Sequence, residues 1–152
     1  VESYLNALIE SYIIYKISRY DIKGKEYLKT GDKYYVCDLG LRNYLLGSVK
    51  DLGSILENII FLELKRRNYD IYIGKYEDSE VDFVVKKNDG LKYIQVSLSV
   101  RDEKTLEREL TPLKEIHDNY PKYIITLDYD SADYEGIRQI NAIDLLMGRV
   151  DL

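Results

Sequence analysis

A chain of 152 residues, 45% hydrophobic and 32% charged, carries enough apolar material for one buried core, which excludes the disordered and fibrous classes. A formal net charge of -5, from 22 basic against 27 acidic residues, excludes a general polyanion binder, so any nucleic-acid contact has to be local. No apolar run approaches the roughly 20 residues that span a bilayer, a single cysteine excludes an internal disulfide, and no signal-peptide pattern opens the chain, so a soluble cytoplasmic protein without membrane contact is expected.

Val1, Leu5, Leu8 and Ile9 recur at helical spacing, which predicts a helix over 1–11. Because the chain opens on that spacing without an initiator methionine, it is expected to belong to a longer protein. Over 13–20, Ile13, Tyr15 and Ile17 alternate with Ile14, Lys16 and Ser18 as in a strand. Gly24 and the Thr30, Gly31, Asp32 cluster punctuate a wing-like hairpin whose second strand is predicted at 33–37, and Asp38 caps a short helix closed by Gly47. Helix plus two-stranded wing fits the tail of a winged-helix module and equally an extension that covers a sheet edge. This extension is assigned to 1–53.

Residues 54–152 read as one longer unit. The spacing predicts a helix over 54–67, strands at 70–76, 80–86 and 92–99, a helix over 104–117 and a strand at 121–127, in the order αβββαβ. Pro112 is expected to kink that second helix or split it at Thr111. An acidic loop over 128–136 leads to a short strand at 137–140 and a last helix begun by Asn141. Most of the 16 tyrosines alternate within strand-like runs, where Tyr serves as a half-buried residue and not as a stacking platform. No phosphate-cradling G-x-x-x-x-G-K-[ST] loop is present, so ATP chemistry is not encoded in this stretch.

Three polar side chains interrupt apolar settings in the longer unit: Glu57 in its first helix, Asp82 in EVDF and Gln95 in YIQVS. Glu57 has Ile60, Phe61 and Leu64 at i+3, i+4 and i+7, so its carboxylate lies over apolar neighbours. Asp82 shares a strand face with Glu80, and Gln95 shares one with Ser97. If the two strands are neighbours, these groups form an oxygen cage suited to Mg²⁺, which holds a phosphate and sharpens a water nucleophile. Structural readings compete with that one. Ser54-Ile55-Leu56-Glu57 fits a capping box, Asp82 needs only a Lys or Arg partner or an exposed face, and Gln95 fits a solvent-facing strand position. Lys65, Arg66 and Arg67 are candidate phosphate contacts, but cations also suit the negative end of a helix dipole. His117 is expected to cap a helix end beside Asp118, and Cys37 to lie in the core.

The αβββαβ order with Glu57, Asp82 and the tripeptide Gln95-Val96-Ser97 resembles the PD-(D/E)xK nuclease fold. Nearly the whole chain is similar to the domain of unknown function at the C-terminus of many bacterial and archaeal AAA+ ATPases, through SRYDIKGKEYLKTGDKYYVCDLGLRNYLLG, LENIIFLELKRRNYDIYIGK, EVDFVV, YIQVSLSV, REL, DNYPKYIITLD and GIRQINAIDLL. The resemblance implies an α/β fold: a nuclease-like αβββαβ core with a mixed sheet over 54–152, behind the helix-and-wing extension. It implies an upstream ATPase domain of the same chain as partner, with ATP bound only there. It makes Glu57, Asp82 and Gln95 the candidate Mg²⁺ positions, and puts Ser97 where the nuclease pattern expects the lysine that positions the attacking water. A neutral hydroxyl does not supply that charge. Lys86 shares a face with Asp82 but lies about 13 Å along the strand, so Lys104 and Arg108 on the following helix are the candidates for a migrated cation. Three functions follow: a non-catalytic module that binds nucleic acid or a partner, an active Mg²⁺-dependent nuclease, or a structural or oligomerisation domain of the ATPase.

Overall fold

The computed structural model describes residues 2–47, 51–88 and 90–152. The elements, in chain order, are α1 (Glu2–Glu10), β1 (Ile14–Asp21), β2 (Glu26–Val36), α2 (Leu39–Leu46), α3 (Leu52–Arg66), β3 (Asp70–Tyr76), β4 (Ser79–Lys87), β5 (Gly90–Val96), α4 (Glu103–Lys114), β6 (Lys122–Thr126), β7 (Asp133–Tyr134), β8 (Ile137–Asn141) and α5 (Ala142–Leu146). The strands form one mixed eight-stranded sheet in the order β2-β1-β3-β4-β5-β6-β8-β7. The fold class is therefore α/β, as expected. Strand β4 runs antiparallel to both β3 and β5, whereas β5, β6 and β8 run parallel to one another. The hairpin β1–β2 joins this sheet through a parallel pairing of β1 with β3, so the extension and the core share one hydrogen-bonded layer. Among the described residues no helix is long and apolar enough to cross a membrane.

One face of the sheet is covered by α3 and α5, where Leu56, Ile60, Phe61 and Leu64 meet Ile73, Phe83, Val85 and Ile94. On the other face Leu110, Leu113 and Ile116 meet Val81, Val84, Tyr93 and Ile124. Each such side chain, fully buried, contributes roughly 1.5–3 kcal/mol. Strand β4 changes its facing partway along. Between the pairs Tyr72 with Val84 and Gly74 with Val81 it carries one residue more than β3, a β-bulge. Val81 consequently packs with the α4 layer while Phe83 packs with the α3 layer, against the strict alternation expected from the sequence. The bulge needs Gly74, since a Cβ there would stand 2.8 Å from a Val84 methyl and 2.9 Å from the Val81 Cβ.

Several local expectations are corrected. Helix α3 starts earlier than residue 54, because Asp51 is its N-cap and accepts from the Ser54 amide at 3.1 Å. The Ser54 to Glu57 capping box therefore does not form, and Glu57 is free to be used elsewhere. Helix α4 continues through Pro112 without splitting; the proline gives up only the bond an amide there would make to the Arg108 carbonyl, and the helix ends two residues later. It ends at Lys114 with Glu115 as C-cap, so the exposed His117 lies beyond the helix and caps nothing. Strand β2 is much longer than 33–37, because its first half pairs with 19–21 of β1 across an irregularity at Gly31, whose φ of +81° favours glycine. Cys37 follows this edge strand and is only partly buried, so it is not a core residue. The acidic loop over 128–136 contributes the short edge strand β7.

Candidate functional site

Strands β4 and β5 pair regularly from Lys87 with Gly90 up to Phe83 with Ile94. Beyond that point side chains replace the ladder. The Asp82 amide donates to Gln95 Oε1 at 3.2 Å, and the Val96 amide donates to Asp82 Oδ2 at 2.8 Å. Each side chain thus satisfies a backbone group that the parting strands would otherwise leave unpaired. Because Asp82 sits in the bulge, it lies between two layers. Gln95, on the same strand face as Tyr93, reaches the α4 side, where its Nε2 donates to Glu109 Oε2 at 3.0 Å. Glu57 approaches from α3 on the hairpin side. The structure therefore joins Asp82 to Gln95, Gln95 to α4 and Glu57 to the hairpin, with Glu57 reaching Asp82 through its charge.

Glu57 is held by two residues of β2 that no motif had singled out. The Tyr35 hydroxyl donates to Glu57 Oε1 at 2.6 Å, and the Lys33 ammonium lies 2.7 Å from the same oxygen. The hairpin can deliver them because it is clamped to α3. The Tyr35 ring stacks on Phe61 with centroids 4.3 Å apart, and the buried Asn58 side chain both accepts from the Val36 amide and donates to its carbonyl. Lys33 also lies 3.5 Å from Glu80, whose other oxygen pairs with Arg19. Burial alone would make Lys33 easier to deprotonate. The hydrogen bond to Glu57 and the charges of Glu57, Asp82 and Glu80 outweigh burial, so its pKa moves up and it stays an ammonium.

Asp82 is pushed up to about 7, first by burial and then by the charge of Glu57, with a smaller contribution from Glu109. The Val96 amide and Lys33 act in the opposite direction and do not cancel those effects. Tyr35 is likewise driven well above the ordinary phenol range by burial beside Glu57. Ser97 is buried, and its hydroxyl donates to the Ser99 carbonyl at 3.2 Å.

Ser97 and Glu109 border a cleft of about 560 Å³ that is also lined by Asp51 and Gly53 at the start of α3, Ser99 after β5 and Thr105 of α4, while Glu57, Asp82 and Gln95 do not line it. Asp128 lies outside this cleft but holds the segment that carries Ser99. This buried carboxylate accepts from the Val100 amide and the Ser99 hydroxyl, both at 2.8 Å, and so ties the connection after β5 to the end of β6. Of the candidate cations, Arg108 lines the cleft but spends its guanidinium on Glu109 at 2.7 Å, and Lys104 is exposed on the outside of α4. Glu57 and Asp82 are the carboxylates that could hold a cation together; among the described residues no three His, Cys, Asp or Glu side chains are grouped as metal ligands.

The basic run at the end of α3 is committed to structure in two of its three members. Arg67 binds Glu63 at 2.6 Å, the Leu145 carbonyl at 2.6 Å and Asp151 at 2.7 Å, and Arg66 forks onto the same Glu63 with two bonds of 2.7 Å. Lys65 lies over the Tyr15 ring.

A domain of unknown function, DUF8612, matches residues 1–51. An uncharacterised protein of Haemophilus influenzae is 38% identical over 149 residues, covering 97% of this chain and 36% of its own length. An uncharacterised protein of Methanocaldococcus jannaschii is 32% identical over 147 residues, covering 90% of this chain and 32% of its own length. The chain thus spans about a third of the length of the curated relatives it matches. No solved structure matches it.

Proposed function

We propose that this chain is a nuclease-like module of the PD-(D/E)xK type, the C-terminal part of a cytoplasmic AAA+ ATPase, and that it binds nucleic acid without cleaving it. The observation that carries the reading is the meeting of Asp82, Gln95 and Glu109 where β4 and β5 part, with the charge of Glu57 acting on Asp82 and with Ser97 in place of the expected lysine. The run α3-β3-β4-β5-α4-β6, antiparallel through β5 and parallel from β5 to β6, supports the nuclease-like order. The ATPase association rests on the sequence resemblance alone; the relatives, most of whose length lies outside the match, are long enough to hold such a domain. Absence of cleavage follows from chemistry. Phosphodiester hydrolysis needs a placed metal and an activated water, and Ser97 gives the second no cation. Gln95 also brings a neutral oxygen, already engaged by the Asp82 amide.

An active Mg²⁺-dependent nuclease is the second reading, favoured by the upward drive on Asp82, since perturbed carboxylates cluster at working sites. One pair of assays separates the two. Fluorescence anisotropy with single-stranded, duplex and branched DNA is expected to show salt-dependent binding, and incubation of the same DNA with Mg²⁺ or Mn²⁺ is expected to leave it intact. Cleavage lost in Asp82→Ala would promote the nuclease, and absence of binding to every substrate would remove the nucleic-acid reading.

A further inference from the structure

The carboxylates around Asp82 raise a question of charge balance. Glu57 and Glu80 converge on Lys33 of the hairpin, the charge of Glu57 also acts on Asp82, and a divalent cation would be the ordinary way to balance Glu57 and Asp82. That place is already served from within the chain. The ammonium of Lys33 is 2.7 Å from Glu57 and 3.5 Å from Glu80, and its charge acts on Asp82. It is carried there by the N-terminal hairpin, and three independent contacts keep that hairpin in place: the stack of Tyr35 on Phe61, the two-point clamp of Asn58 on Val36, and the ion pair of Arg19 with Glu80.

We propose that Lys33 is the resident cation of this site: its ammonium, held between Glu57 and Glu80, takes the place on Glu57 that a divalent ion would need and closes the native protein to metal. The extension is then a functional part of the site, because it supplies the group that decides whether metal enters. Lysine suits this task, since it is a compact point charge on a flexible stem that two oxygens can share. Removing the charge while keeping the length, as in Lys33→Met, leaves Glu57 with Tyr35 and Glu80 with Arg19, but leaves Asp82 without the cation that offsets it. Two carboxylates with room for waters are what Mg²⁺ and Mn²⁺ require of a protein. The inference concerns cation occupancy alone, so it can fail while the nucleic-acid reading stands, and the reverse.

The test is Mn²⁺ binding to the full chain, followed by calorimetry and by electron paramagnetic resonance of the free ion. Wild type and Lys33→Arg are expected to show no saturable site up to about 1 mM, the weak end of protein carboxylate sites. Lys33→Met is expected to gain one site at least about tenfold tighter than that limit, and the added change Asp82→Asn is expected to abolish it. Should Lys33→Met fail to fold by circular dichroism, Lys33→Gln carries the same expectation with a polar side chain. A saturable site in the wild type overturns the proposal without any variant. So does a Lys33→Met or Lys33→Gln protein that folds and binds no Mn²⁺, or a gained site indifferent to Asp82→Asn.

Discussion

Asp82 illustrates how a single side chain records the competition between burial and function. A half-buried carboxylate under the charges of Glu57 and Glu109 costs stability when ionised, which pushes its pKa up to about 7. The sign follows from proton counting. The folded state retains a proton that the unfolded state has lost, from the ordinary carboxylate range up to about 7, so this group lowers stability progressively as pH rises through that window. Asp82→Asn keeps an oxygen for the Val96 amide and removes the charge. Its melting midpoint is expected to exceed that of wild type at pH 8 by at least about 3 °C, the shift that roughly 1 kcal/mol produces in a domain of this size. At pH 4, where the native carboxyl is already protonated, the two midpoints are expected to coincide. An equal gain at both values would mean that the substitution acts through packing and not through charge.

Among the elements, α3 does two jobs with its two ends. Its first turn borders the cleft, and its last turn anchors the chain terminus through Arg67, which is 14% exposed and gathers Glu63, Asp151 and the Leu145 carbonyl. Arg66 holds the same Glu63 from outside, at 66% exposure. Both guanidiniums draw the Glu63 carboxyl below its usual range, Arg66 through the larger effect and against the opposing effect of burial. Arg67→Met is therefore expected to cost about 2–3 kcal/mol in urea unfolding, less than a fully orphaned buried charge because Arg66 still serves Glu63. Arg66→Ala is expected to cost less than about 1 kcal/mol, as exposed pairs do. If the two variants lost equal stability but also equal DNA affinity, the run would be a phosphate contact after all.

At the scale of the whole molecule, extension and core depend on one another. Strand β1 covers the edge of β3, and Ile17 and Tyr35 of the hairpin are buried in the same core as Phe61 and Phe83. Deleting residues 1–51 would bare that strand edge together with the apolar face of α3, the combination that invites edge-to-edge association. The truncated chain is expected to be insoluble or aggregated by size-exclusion chromatography. A soluble monomer with native circular dichroism would show that 52–152 folds alone, and would separate the two segments physically as well as in sequence.

The amino-acid sequence by itself determined the α/β class and the αβββαβ order, because helical and strand periodicities are local and strong over 54–126. It also pointed to Glu57, Asp82 and Gln95, since a polar side chain amid apolar neighbours is visible without a structure. Glu109 was within reach of the same reasoning, being an acid bordered by Leu106, Leu110 and Leu113 on one helix. What tertiary structure alone decided is who meets whom. The bulge at Asp82 depends on the close approach of Gly74 to β4, so the alternation rule failed there and turned Val81 to the α4 layer, whereas Gln95 reaches Glu109 by the ordinary alternation of β5. Lys33 gives no local signal, being one more charged residue of a polar hairpin; it reaches Glu57 only because Asn58 and Phe61, more than twenty residues later, draw that hairpin onto α3. Such partners are chosen by packing between distant segments, which no window along the chain contains.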